Sequence, residues 1–174
     1  GSEMCIRDSI GGFYFGQVIL LTGKRGEGKS TFMSQLIVEA LEQGYKTFAY
    51  SGELTDYHFK RWLDFQAAGP DNIVSNKDQF GEETYLLTNE VIDKLNSWYR
   101  GKAYLYDNSA VIESEELESL LVTIEKAVCR YGIRFVCIDN LMTALDVDMR
   151  DDLYRAQSKF LRELKLLAYR HNIV

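Results

Sequence analysis

The run Gln17-Val-Ile-Leu-Leu-Thr22-Gly23-Lys-Arg-Gly-Glu-Gly28-Lys29-Ser30 joins two kinds of element across a glycine-rich turn. Gln17–Thr22 is short, apolar and β-branched, is bounded by Gly16 and Gly23, and predicts a buried strand. From Lys29 to Gln43 the apolar residues Phe32, Met33, Leu36, Ile37, Ala40 and Leu41 recur at helical spacing, with Gly44 as the stop. Between them, Gly23 to Ser30 fits G-x-x-x-x-G-K-[ST] in full. Gly23, Gly26 and Gly28 allow positive φ and close backbone approach, so successive N–H groups can face an anion. The helix start adds its positive end. Lys29 would set an ammonium on the β- and γ-phosphates, and Ser30 a hydroxyl on the Mg²⁺ that bridges them. With Lys24, Arg25, Glu27 and Thr31, these are the candidate ATP-contacting residues. Lys24 and Arg25 fit equally a phosphate or inter-subunit contact and a pair of solvated charges.

Outward from the loop, strands and helices alternate. Tyr45–Tyr50 predicts a second strand, and Thr55 caps a helix that runs to about Ala68, where Gly69-Pro70 ends it. Residues 71–87 are polar and read as irregular. Thr88 caps a helix with Val91, Ile92, Leu95, Trp98 and Tyr99 on one stripe, and Lys102–Tyr106 is a third strand. Ser114, followed by Glu115 and Glu116, starts a helix that buries Leu117, Leu120, Leu121, Ile124 and Val128 and stops at Gly132. Arg134–Ile138 is a fourth strand, and a last helix spans about Arg150 to Arg170. The expectation is an α/β fold: a mostly parallel sheet with helices on both faces.

A triphosphatase needs a second acid for Mg²⁺ at the carboxyl end of a buried strand. Phe135-Val-Cys-Ile-Asp139 supplies it, since a carboxylate there is costly unless paired or beside a metal. It also needs a group to orient and deprotonate water. Glu53, in Tyr50-Ser-Gly-Glu53-Leu, follows the second strand at the edge where open parallel sheets bind ligands. Asp107 also follows a strand, but Glu53 is the better base because Asn140, not Glu, follows Asp139. The other reading of Glu53, less favoured than the catalytic one, is a carboxylate in a helix first turn.

Composition narrows the classes. The 174 residues suit one domain, and 46% hydrophobic with 26% charged residues is ordinary for a globular chain. A formal charge of −6 excludes nucleic-acid binding through bulk positive charge. No apolar run reaches a membrane span and no secretory leader is present, so the expectation is a cytoplasmic protein without membrane contact. Cys5, Cys129 and Cys137 lack metal-type spacing and read as reduced thiols. His58 and His171 are isolated, which removes a histidine-based metal or triad site. The aromatics read as core rather than base-stacking residues, and the acidic residues Asp146, Asp148, Asp151 and Asp152 as a solvated helix entry. Gly1-Ser2 resembles a cleaved-tag scar. Residues 1–10 are taken as a non-native or disordered leader, and 11–174 as the domain. The end at His171-Asn-Ile-Val174, a helix followed by the start of a strand, predicts a fragment of a longer protein.

Gly16-Gln17-Val-Ile-Leu-Leu-Thr-Gly23, Tyr50-Ser-Gly-Glu53-Leu and Val136-Cys-Ile-Asp139-Asn140-Leu141, in this order and spacing, resemble the RecA-like ATPase core of the hexameric replicative helicases, the DnaB and Twinkle group. The resemblance covers nearly all of 11–174 and implies a homo-hexameric ring, Mg²⁺ and ATP between neighbours, and single-stranded DNA through the pore. It carries Lys29, Ser30, Asp139 and Glu53 onto the phosphate, Mg²⁺ and catalytic positions. It also implies a polar sensor, a DNA-binding loop and an arginine finger beyond Val174, with the sensor strand lying between the phosphate-loop strand and the Asp139 strand. On that basis the fragment would bind nucleotide weakly at best and would not unwind DNA. RecA-like ATPases of the recombinase-mediator or circadian-clock KaiC type, which do not unwind, share the same features, and so would a non-catalytic nucleotide-binding module.

Overall fold

The computed structural model describes residues 12–24, 28–51, 56–106, 120–139 and 150–174. In chain order the elements are α1 (Lys29–Glu42), β1 (Thr47–Ser51), α2 (Asp56–Ala68), a 3₁₀ turn (Pro70–Asn72), β2 (Val74–Lys77), β3 (Glu83–Leu86), α3 (Asn89–Tyr99), β4 (Ala103–Leu105), α4 (Leu120–Tyr131), β5 (Phe135–Asp139) and α5 (Arg150–His171). The central sheet is parallel in the order β4-β1-β5.

Strand periodicity divides the core. Phe48, Tyr50, Tyr104, Val136 and Ile138 point to one face, where Ile124, Val128, Phe160 and Leu167 of α4 and α5 cover them. Ala49, Ala103, Leu105, Phe135 and Cys137 point to the other, beneath Ile37, Leu41, Phe59, Leu63 and Tyr99 of α1, α2 and α3. The result is three layers, helices–sheet–helices, as the alternating pattern predicts for an α/β fold. Ile37, Leu41 and Leu63 are each 1% exposed, and burying each stabilises the fold by about 1.5–3 kcal/mol.

Element ends follow local chemistry. Gly44 (φ 84°) closes α1, with its N–H on the Leu41 carbonyl and the Tyr45 N–H on that of Ala40. Thr88 caps α3 as expected, its hydroxyl accepting from the Val91 N–H at 3.4 Å. Asn172 takes the left-handed conformation (φ 53°) just past α5 and turns the chain back into the sheet.

Two expectations require correction. Residues 71–87 are not irregular throughout: β2 and β3 form an antiparallel hairpin, with Val74 opposite Leu86 and Lys77 opposite Glu83. The turn is made by Asp78, whose Oδ1 accepts from the N–H groups of Phe80 (2.8 Å) and Glu82 (2.9 Å). None of its strand residues is buried, so it has no inward apolar face to produce a readable alternation.

The second correction concerns Gln17–Thr22, which is neither a strand nor buried. Ile19, Leu20 and Leu21 are 44%, 63% and 45% exposed. A strand needs a hydrogen-bonding neighbour, and apolar sequence cannot substitute for one. The Val174 N–H donates to the Arg134 carbonyl, and the Val174 carbonyl accepts from the Val136 N–H. The Ile173 carbonyl faces the other way and accepts from the Gly16 N–H at 2.8 Å. Ile173–Val174 therefore form a rung between β5 and Gly16, and past that rung 17–22 has no strand beside it among the described residues.

Candidate nucleotide site

The carboxyl edge of the sheet and the start of α1 build the site. Asp139 ends β5 in register with Ser51, the last residue of β1. Alternation sets Asp139 on the same face as Phe135 and Cys137, the face that α1 covers. The first turn of α1 lies over it, and the Ser30 Oγ donates to the Asp139 Oδ2 at 3.2 Å. Residues 109 positions apart in sequence thus present a hydroxyl and a carboxylate side by side.

Gly28 precedes α1 in the left-handed conformation (φ 80°, ψ 19°), as the loop motif requires, and its carbonyl accepts the Phe32 N–H at 3.0 Å. Lys29 turns back, and its Nζ donates to the Gly23 carbonyl at 2.7 Å, so the ammonium spans the loop from end to end. Ser34 is 1% exposed and donates to the Ser30 carbonyl at 2.9 Å, which steadies the turn carrying Ser30. Sequence reading missed Ser34. The available signal was a serine four residues after Ser30, the spacing at which a hydroxyl reaches back along a helix.

Below the site, the Cys137 Sγ lies 3.8 Å from the Met33 Sδ. Burial, with the Asp139 charge adding to it, pushes the Cys137 thiol far above its ordinary range. It is a neutral packing group, not a nucleophile or ligand.

Gly23, Gly28, Lys29, Ser30 and Asp139 are therefore together. Thr31 is half-buried in the first turn of α1, and Lys24 is exposed at the loop's entrance. Arg25, Gly26, Glu27, Glu53, Asp107, Asn140, Asp146 and Asp148 lie outside the described residues. His171 binds the Glu125 Oε1 at 3.0 Å beside Arg170, which gives it a structural partner. Among the described residues no group of three or more His, Cys, Asp or Glu is arranged to hold a metal. Mg²⁺ bound to nucleotide needs less: it takes one or two protein oxygens and keeps phosphate and water for the rest. The Ser30 hydroxyl and the Asp139 carboxylate fit that donor set. No described helix is long and apolar enough to cross a membrane.

Known proteins match this sequence. The model of the family described as "ATPase: KaiC" matches residues 4–168. The circadian clock oscillator protein KaiC of Rippkaea orientalis (strain PCC 8801 / RF-1) is 26% identical over 164 residues. That match covers 90% of this chain but 27% of the relative, so the chain spans a little over a quarter of its length. The RecA-like, parallel-sheet ATPase core is thus shown, and the narrower helicase resemblance is not what the family match reports. With 165 of 174 residues inside the family model, the chain belongs to the KaiC ATPase family.

Proposed function

We propose that this domain binds Mg-ATP at the Gly23–Ser30 loop and hydrolyses it, driving conformational change in an assembly rather than unwinding. The observation that carries this reading is the Ser30–Asp139 pair, a hydroxyl and a carboxylate 3.2 Å apart at the mouth of a full phosphate-loop motif. Backbone N–H groups of the loop and the positive end of α1 receive the phosphates. Lys29 exchanges its hydrogen bond to the Gly23 carbonyl for one to the β- and γ-phosphate oxygens. Ser30 and Asp139 would hold Mg²⁺, whose positive charge would offset that of the phosphates. Glu53 orients a water for attack on the γ-phosphorus and accepts its proton, while the bond to the ADP oxygen breaks.

The Lys29→Ala and Glu53→Gln variants test this. Lys29→Ala is expected to abolish Mg-ATP binding measured by calorimetry. Glu53→Gln is expected to keep binding and lose phosphate release. Unchanged hydrolysis in Glu53→Gln would remove Glu53 from the mechanism.

A second reading, a homo-hexameric motor translocating on single-stranded DNA during replication, draws support from Tyr50-Ser-Gly-Glu53-Leu and Val136-Cys-Ile-Asp139-Asn140-Leu141. The discriminating measurement is ATP turnover by the longest available form of the protein, with and without single-stranded DNA. Stimulation favours the motor. Absence of stimulation favours the non-unwinding ATPase, a reading closer to the clock protein named above.

A further inference from the structure

The hairpin β2–β3 adds nothing to the core, yet it encloses space. Together with the outward side of α2 it walls a cavity of about 680 Å³, within the range of small-molecule sites. The lining includes His58, Arg61, Trp62, Phe65, Ile73 and Tyr85, and none of the described phosphate-loop residues. Helix periodicity explains the helical wall: Phe59 and Leu63, 3% and 1% exposed, face the core, which turns His58, Arg61, Trp62 and Phe65 the other way. Trp62 and Tyr85 remain 50% and 54% exposed, large aromatic surfaces left without a covering group among the described residues.

Arg61 gives the cavity its sign. One Nη donates to the Tyr85 carbonyl at 3.1 Å, and the guanidinium lies 5.5 Å from the Phe65 ring centroid. The cation is therefore held between hairpin and helix, and a guanidinium has five N–H groups, more than this contact uses. Among the described residues no Asp or Glu lines the cavity; the nearest noted carboxylate, Glu83, accepts from the Tyr85 hydroxyl at 3.3 Å at the rim. Flat aromatic walls and a fixed cation match a ligand that is both planar and negatively charged.

We propose that this cavity is a binding site, separate from the nucleotide loop, for a small planar aromatic anion. Its ring lies against Trp62 and Tyr85, and its acidic group meets Arg61.

The probe is 1-anilinonaphthalene-8-sulfonate, compared with its uncharged counterpart N-phenyl-1-naphthylamine. The protein carries Trp98→Phe, so that Trp62 is the remaining indole of the two in the chain. The sulfonate is expected to quench Trp62 saturably at one site, at least tenfold more tightly than the neutral amine, and equally with saturating magnesium tripolyphosphate, a ringless occupant for the loop, present. Arg61→Gln should bring the two probes within about twofold of each other. Arg61→Lys keeps the charge and should preserve the preference, provided thermal melting shows both variants folded. Equal wild-type affinity for the two probes would overturn the proposal. So would displacement by magnesium tripolyphosphate, or sulfonate binding, read from the probe's own fluorescence, that survives both Arg61→Gln and Trp62→Ala undiminished.

Discussion

Gly28 and Gly44 flank α1 in nearly the same conformation, with φ of 80° and 84°, and a Cβ built on either meets nothing within 4 Å among the described residues. Replacing either with Ala therefore costs backbone strain without a clash. Holding an L-residue in the left-handed region costs about 1–2 kcal/mol. Stiffening the unfolded chain moves the balance the other way by about 0.4–1 kcal/mol. A net destabilisation of about 1 kcal/mol is expected at each site. For a chain of this size that lowers Tm by roughly 2–4 °C. Only Gly28 lies in the proposed phosphate loop. Titration with a fluorescent ATP analogue in Mg²⁺ should therefore show Gly28→Ala binding at least tenfold more weakly, about 1.4 kcal/mol. Gly44→Ala should match wild type. Gly28→Asn separates the two effects: Asn tolerates the left-handed region, so stability should largely return while binding stays impaired. Wild-type affinity in Gly28→Ala would refute the placement of the phosphates. Equal loss of affinity in Gly44→Ala would show that general destabilisation was being read instead.

Other expectations rest on single contacts. A double-mutant cycle of Ser30→Ala and Asp139→Asn, read by denaturant unfolding without nucleotide, should give a coupling of about 1–2 kcal/mol, since a hydrogen bond to a charged acceptor joins the two. A coupling near zero would mean the pair is not formed in solution. In a Cys5→Ser background, a thiol reagent should modify exposed Cys129 and leave Cys137 untouched until the protein unfolds. The Cys137 proton also links stability to pH. Its thiol titrates near 9.0 when unperturbed and well above that when folded, so at higher pH the native state holds a proton that the unfolded state has lost. Stability should then fall as pH rises past about 9, by up to about 1.4 kcal/mol per unit from this group. Cys137→Ala should flatten that slope in urea melts taken across pH 8–10.

What could be read from the chain depended on how local the cause was. The loop was legible because its glycine, lysine and serine positions are fixed by chemistry within a few residues, and Gly28 adopts the backbone that spacing requires. A carboxylate closing an apolar strand calls for a partner, and the structure places the Ser30 hydroxyl 3.2 Å from Asp139. α1, α3 and α5 follow their periodicity, with bounds close to those expected. The hairpin was not legible, because both its faces are wet and its stability comes from the Asp78 turn and cross-strand pairing. Gln17–Thr22 misled for the converse reason. Its composition matches a core strand, but strand formation depends on a neighbour that its own residues cannot encode. The Ser51–Asp139 register was likewise invisible, since it depends on strands separated by more than eighty residues.

The rung at Ile173–Val174 has a consequence for biosynthesis. Gly16, which leads toward the glycine-rich loop, is fastened to a carbonyl that the ribosome adds more than 150 residues later. At about 5–20 residues per second, the nascent chain waits on the order of ten seconds or more before that tie can form. The rung does not cover Ile19, Leu20 and Leu21, which stay 44%, 63% and 45% exposed after it forms, so the nascent chain and the folded chain present the same apolar stretch to solvent.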